Sequence, residues 1–266
     1  MKYDMDITIE LRVFNNIKYY DEPHTYYMGD KKMTSATQLI SKFKQKFDSD
    51  FWSEKKADER GITKEEILKE WKDKSEYSCE KGTLFHEYAE NYLNNKIFPY
   101  PKDRVIKILE GNEFKQVDTL KSDFDKMVIQ FNKFYEESYG KLIPMKSEII
   151  VGDEELGICG MVDQLFWNTK TNDLQIWDWK TNKEIKRNNR WQQFKEPLSH
   201  LDVCEFNTYS LQLSLYRYII EKNTNIELGD SYIVWFNEKN NNYEPIKCRD
   251  YRNEVKDMLK EYNKND

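Results

Sequence analysis

Residues 174–183, LQIWDWKTNK, begin as a buried strand and then acquire charge. Alternate residues of a strand share a face, so Leu174, Ile176, Asp178 and Lys180 point one way and Gln175, Trp177, Trp179 and Thr181 the other. One face turns from apolar to charged within two residues, as at a strand end meeting water or at the floor of a site. Upstream, residues 157–167, GICGMVDQLFW, put Cys159, Met161, Asp163 and Leu165 on one face. The polar link NTKTND predicts an antiparallel hairpin. If Asn168 faces Asp173 across a four-residue loop, Asp163 faces Asp178 with Cβ atoms about 4.5–5.5 Å apart. Facing like charges call for a cation, and hard divalent ions such as Mg2+ take carboxylates together with substrate phosphate oxygens. Lys180, about 6.6 Å along the same face, is placed to orient a water or to offset phosphate charge. A metal there would polarise a phosphoryl group and lower the pKa of an attacking water. The plain alternative is a salt bridge at a strand end.

Other residues converge on the pair. Gly82, His86 and Glu90 follow one another at i, i+4 spacing on one helix face, where the glycine allows close backbone approach and the imidazole offers a further ligand. Tyr209, Gln212 and Tyr216 line a later helix, and Glu148 opens the first of three strand-like runs as an additional acid. Between Lys180 and Lys195 the cations Lys180, Lys183, Lys186, Arg187, Arg190 and Lys195 face Glu184 alone, a surplus of five positive charges. The whole chain carries −6. Such a patch on an acidic body can grip a phosphate backbone while keeping non-specific affinity low, and Trp191 and Phe194 within it could stack on bases of single-stranded DNA. The plain alternative for this run is a solvated loop.

These residues need a framework to hold them. The first thirty residues read as strands (ITIELRV, NIKYYD, HTYYM) with a turn at Gly29. Ser35 is a candidate N-cap for SATQLISKFKQKF, and Thr63 with Glu66 forms a capping box ahead of EILKEWKDK. A separate helix is expected over 78–95, ended by Pro99 and Pro101, then a loop and a helix near 119–139. Strands MKSEIIVG, GICGMVDQLFW and LQIWDWKT follow, then the basic segment, a helix over about 203–222, strands SYIVWF and YEPIKC, and a last helix. The order predicts an α/β (α+β) layered fold, with an N-terminal helical elaboration over 1–140 and the core over 141–266, together one integrated domain. The 266 residues can bury a real core, and 39 aromatics offset a hydrophobic content of only 38%. No signal-peptide core or membrane-length apolar run is visible, and four scattered cysteines suggest neither zinc nor a disulfide framework. The expectation is a cytoplasmic protein with no membrane partner.

Gly82 to His86, Gly160-Met161-Val162-Asp163, Asp178-Trp179-Lys180-Thr181 and Gln212 to Tyr216, in this order, resemble the PD-(D/E)XK nuclease superfamily, specifically its RecB-like exonuclease branch (G-x-x-x-H, G-x-x-D, D-x-K-T, Q-x-x-x-Y). The resemblance covers about 82–216. It implies a restriction-endonuclease-like α-β-β-β-α-β core with a mixed central sheet flanked by helices. It implies Mg2+ or Mn2+ held by His86, Asp163, Asp178 and the Trp179 backbone carbonyl, with Lys180 as catalytic lysine and Gln212 and Tyr216 supporting the site. The implied function is a metal-dependent exonuclease acting on DNA ends or single strands in replication, recombination or repair, with proteins of those processes as partners and a bacterial virus as one source. An inactive DNA-binding or assembly module and a structure- or sequence-specific endonuclease are the alternatives. The chain departs from the branch in lacking a proline before Asp163. Iron–sulfur members carry one cysteine before the histidine motif and three near the C-terminus; Cys204 and Cys248 cannot supply that cluster, so no iron–sulfur site is expected.

Overall fold

The computed structural model describes residues 2–20, 25–112 and 117–265. The order is α1 (Lys2–Glu10), a 3-10 turn (Leu11–Phe14), β1 (Ile17–Tyr20), β2 (Thr25–Met28), β3 (Lys31–Ser35), α2 (Ala36–Lys42), α3 (Ser49–Arg60), α4 (Lys64–Leu93), α5 (Lys102–Ile108) and α6 (Val117–Ser138). There follow β4 (Leu142–Asp153), β5 (Ile158–Asn168), β6 (Asp173–Lys180), α7 (Glu205–Asn223), β7 (Leu228–Trp235), β8 (Glu244–Lys247) and α8 (Arg252–Asn265). The eight described strands form one mixed sheet in the order β1-β2-β3-β5-β6-β7-β8, with β4 on the other edge of β5. The expected α/β architecture of a mixed central sheet flanked by helices is the one observed. No helix among the described residues is long and apolar enough to cross a membrane.

Several elements differ from expectation for identifiable reasons. ITIELRV is helical, because Ile7, Leu11 and Phe14 meet the core at helical spacing while Ile9 and Val13 stay about half exposed. In a strand, residues 7, 9, 11 and 13 would have shared one face. The Thr63–Glu66 capping box is present, but the helix it starts runs unbroken to Leu93. Gly82 is the sole glycine within it and adds no kink signal strong enough to split it. Conversely, α2 stops at Lys42, because Phe43 leaves helical geometry and buries its ring. The sequence reading missed α3, α5 and β3; α3 opens on an Asp48 cap and closes on left-handed Gly61. His24 and Asp21, at the ends of two expected strands, lie outside the described residues.

The hairpin β5–β6 keeps the expected register from Asn168 facing Asp173 to Gln164 opposite Trp177, but the ladder ends there, so Asp163 and Asp178 do not form the cross-strand pair expected. One face of β6 packs Leu174 and Ile176 with residues of α2, α7 and α8, and the other packs Trp177 and Trp179 with Phe85 and Ala89 of α4 and Phe131 and Phe134 of α6. β4 pairs along β5 on one edge. On the other edge β6 pairs only with residues 164–168, and β3 runs parallel to Ile158 and Cys159. Residues 160–163 of β5 therefore have no strand on that edge among the described residues, and the sheet forks there. Gly160 sits in the fork under the Tyr216 ring of α7.

Two glycines make opposite demands. A methyl on Gly160 would collide with the buried Tyr216 ring, 2.8 Å from its hydroxyl, whereas one on Gly82 would meet only Thr181 Oγ1 at 3.5 Å. Gly160→Ala should thus lose about 1–3 kcal/mol of stability, and Gly82→Ala should gain up to about 1 kcal/mol from its helical backbone. Urea unfolding of the two variants measures both signs. A destabilised Gly82→Ala would show that the helix needs closer contact than this packing.

Candidate active site

The fork frees backbone groups that a continuous hairpin would have paired. The Trp179 N–H donates to Asp163 Oδ2 at 2.7 Å, and the Trp179 carbonyl lies 3.1 Å from His86 Nε2. The histidine arrives because α4 is continuous and its rotation is fixed by Leu84, Phe85 and Ala89, all fully buried. Gly82, one turn earlier, passes the end of β6 at Thr181.

Three ligand-bearing side chains meet at this point. His86 Nδ1 lies 3.5 Å from Asp163 Oδ2 and 4.0 Å from Glu148 Oε1, and donor atoms of all three fall within 4.8 Å of one another. Glu148 stands in the middle of β4, not at its start. Its neighbours Ser147 and Ile149 pair with Gln164 and Val162, while Glu148 itself, at φ +47°, interrupts the ladder across from Asp163. A non-glycine residue there stores on the order of 1–3 kcal/mol. Glu90, a turn beyond His86, lies close enough for its charge to act on Glu148.

Asp178 and Lys180 occupy the adjoining position. Asp178 is 2% exposed and its Oδ2 stands 2.5 Å from Lys180 Nζ. At that separation the two form a buried ion pair, each holding the other's charge. The Lys180 ammonium also lies 4.5 Å from the centre of the Tyr209 ring, whose hydroxyl donates to Asn182 Oδ1 at 2.8 Å. Gln212 Nε2 donates to Tyr216 OH at 2.8 Å, holding the ring over Gly160. All the expected motif residues are thus gathered at the fork, but Asp178 faces Lys180 and lies outside the His86–Glu148–Asp163 cluster.

Electrostatics follow from burial in close quarters. Burial pushes Glu148 up to about 8 and Asp178 up to about 6, with Asp163 adding to both. Burial opposes the charge of Asp163 too, yet His86, Lys180 and the Trp179 N–H hold its pKa below the ordinary value. Burial likewise works against His86 and Lys180; Asp163 and Glu148 outweigh it and raise His86 to about 9, and Asp178 and Asp163 raise Lys180. The acidic residues are therefore balanced here by two protein cations. Clustered carboxylates, an imidazole and the Trp179 carbonyl beside them are a donor set that fits a hard or borderline divalent ion.

The basic segment is mostly irregular. Lys183, Lys186, Arg187, Arg190 and Lys195 are exposed, and Trp191 is 96% exposed. Phe194 is corrected: it is 3% exposed, packed in the core near Leu198 and Leu201, and unavailable to a base. Some of the cations are partly engaged, Lys186 with Glu184 at 3.0 Å and Arg187 with Glu244 at 3.7 Å. Two neighbours of the site escaped the sequence reading. Asn182 positions Tyr209, and Tyr26 of β2 is near enough to feel Glu148 and Asp163, which add to the effect of burial in raising its pKa. No motif flags either of them. Cys159, Cys204 and Cys248 are buried and Cys79 is exposed, all as free thiols.

The profile of the PD-(D/E)XK nuclease superfamily matches residues 59–264, which takes in α4, the forked hairpin and α7. No curated protein matches the chain. With the profile spanning most of the chain and its acidic and lysine motif lying at the fork, the protein belongs to the PD-(D/E)XK nuclease superfamily of metal-dependent nucleases.

Proposed function

We propose that the protein is an Mg2+- or Mn2+-dependent deoxyribonuclease of the RecB-like branch. In this proposal it acts as an exonuclease on DNA ends or single strands in replication, recombination or repair, with residues 1–140 and 141–266 working as one integrated domain. The observation that carries the reading is the buried juxtaposition of Asp178 and Lys180 beside the His86–Glu148–Asp163 cluster. The bland salt-bridge reading of D-x-K does not call for an imidazole, two further acids and a backbone carbonyl at the same point. His86, Asp163, Asp178 and the Trp179 carbonyl would hold the ion, with Glu148 and Glu90 as additional acids. Bound there, a divalent ion would polarise a phosphoryl oxygen and lower the pKa of a water.

The chain's own groups do the rest. Lys180 keeps its proton on Nζ, fixed between Asp178 and the Tyr209 ring, and orients the attacking water or offsets charge on the phosphate. Gln212 and Tyr216 hold the floor of the fork. Lys183, Lys186, Arg187, Arg190 and Lys195 grip the strand and Trp191 stacks on a base. The deciding experiment offers end-labelled linear DNA and closed circular DNA with Mg2+, Mn2+ or EDTA. Degradation of the linear form alone, blocked by EDTA, is expected. Cleavage of the circle would make the protein an endonuclease, and no cleavage would leave a binding module.

Lys180→Ala should lower kcat by about 10²–10⁴ with DNA binding nearly intact; turnover within a few-fold of wild type would remove Lys180 from catalysis. Replacing Lys186, Arg187 and Arg190 together by Ala should flatten the slope of log K against log salt by about 2 for single strands. An unchanged slope would return the segment to a solvated loop. Ligation needs a neutral imidazole and charged carboxylates, whereas His86 and Glu148 keep their protons up to about pH 9 and 8 in the metal-free protein. Mn2+ binding at pH 7 should thus expel protons and tighten as pH rises to about 9. Calorimetry in buffers of different ionisation enthalpy counts them, and none released would remove both residues from the ligand set.

A further inference from the structure

Ahead of the region that the family profile covers lies a set of large side chains that the fold does not bury. Phe47 is 62% exposed, Phe51 56% and Trp52 40%, in the turn after α2 and the first turn of α3. Scattered exposed apolar residues are ordinary, but clustered aromatic rings at a surface mark a contact site. Here the rings are organised. Phe51 and Trp52 pack edge to face at 5.3 Å, Lys55 stands 5.1 Å over the Trp52 ring, and Phe47 lies 5.8 Å from Trp71 of α4.

Charge around them favours an anion. Lys44, Lys46 and Lys55 form no ion pair among the described residues, whereas the acids between them and Arg60, all but Asp58, are engaged. Asp50 and Glu54 meet Lys64, Glu59 meets Lys56, Glu70 meets Arg60, and the Asp48 carboxylate caps α3.

The patch is also continuous with the proposed DNA-binding segment. The Lys195 N–H donates to the Phe43 carbonyl at 2.7 Å, Lys195 Nζ donates to the Lys42 carbonyl at 3.2 Å, and Lys44 lies 5.7 Å from the Phe194 ring. On its other side, Trp71 lies 11 residues before Gly82 and 15 before His86, which keeps the three within about 60° of one another around α4. The fifteen residues from Trp71 to His86 span about 22 Å of helix.

We infer that Phe47, Phe51, Trp52 and Trp71, with Lys46 and Lys55, form a stacking platform for single-stranded DNA about 22 Å from the cleavage site along α4. Sequence-tolerant base stacking over a cationic track is the general chemistry of single-strand grooves. The platform would hold the strand upstream of the phosphate being cut and add affinity without touching the reacting atoms. The inference rests on the nuclease reading, and its test is run without turnover so that the two can fail separately.

In EDTA, anisotropy of labelled oligothymidylates of about 4 and about 16 nucleotides is compared for wild type, Phe51→Ala/Trp52→Ala and Lys46→Glu/Lys55→Glu, with thermal melts of each protein. The aromatic variant should bind the longer oligonucleotide at least about tenfold more weakly, with its affinity for the short one and its melting temperature unchanged. The charge variant, which leaves the rings in place, should weaken the same interaction and reduce its salt dependence. In Mg2+, the aromatic variant should raise KM for long substrates and leave kcat alone. Wild-type affinity for the longer oligonucleotide in both variants would overturn the inference and assign the patch to a protein partner. Failure of the wild-type protein to bind either oligonucleotide would overturn it too. Cleavage by that same protein in Mg2+ would still uphold the nuclease reading.

Discussion

Everything at the site depends on the parting of β5 and β6 beyond the Gln164–Trp177 pair. A hairpin that stayed zipped would have spent its backbone groups on itself and held Asp163 in a ladder. Because the strands separate, Asp163 takes the Trp179 N–H and the Trp179 carbonyl turns to His86. The separation is held from both sides. β3 pairs in parallel with Ile158 and Cys159 beyond the gap, β7 keeps β6 straight through Lys180, and Tyr216 fills the space over Gly160. Buried backbone groups need partners, so the fork itself directs which polar side chains gather there.

The second governing fact is that several charges share one poorly solvated space. Isolated buried charges are strongly disfavoured, so they persist here as an interlocked set: Asp163 with His86, Asp178 with Lys180, Glu148 raised to about 8. The arrangement is thus a balanced acid–base network in which His86, Lys180 and a proton on Glu148 offset the carboxylates. The same network makes the lysine a fixed group, since Asp178 and the Tyr209 ring confine its ammonium.

How much of this was legible in the sequence varies with the range of the interaction. The hairpin register followed from alternation and a four-residue loop, because both are local. The N-cap at Ser35 and the capping box at Thr63 were legible for the same reason. The helical state of ITIELRV was not, since its alternation favours a strand and only tertiary burial of Leu11 and Phe14 decides otherwise. Phe194 looked like a stacking residue amid cations, but its neighbours Leu198 and Leu201 draw it into the core. Asp178 was rightly placed beside Lys180, but the sequence could not show that the two would lock together and leave Glu148 to complete the cluster around His86. Tyr26 comes from a strand more than a hundred residues away and leaves no local trace.

Glu148 carries a consequence for how such a protein drifts under mutation. Its backbone is in the left-handed region that glycine adopts freely, and its half-buried carboxyl stands close to other acids. Glycine at 148 would relieve the backbone and remove a desolvated acid at once, so selection for stability alone would steadily erode this position. If the acid serves the proposed site, that pull is a local instance of the trade-off between stability and activity. On the proposed reading, position 148 is where fold and chemistry pull apart: losing the acid would leave the fold intact or even firmer while removing an acid from the site.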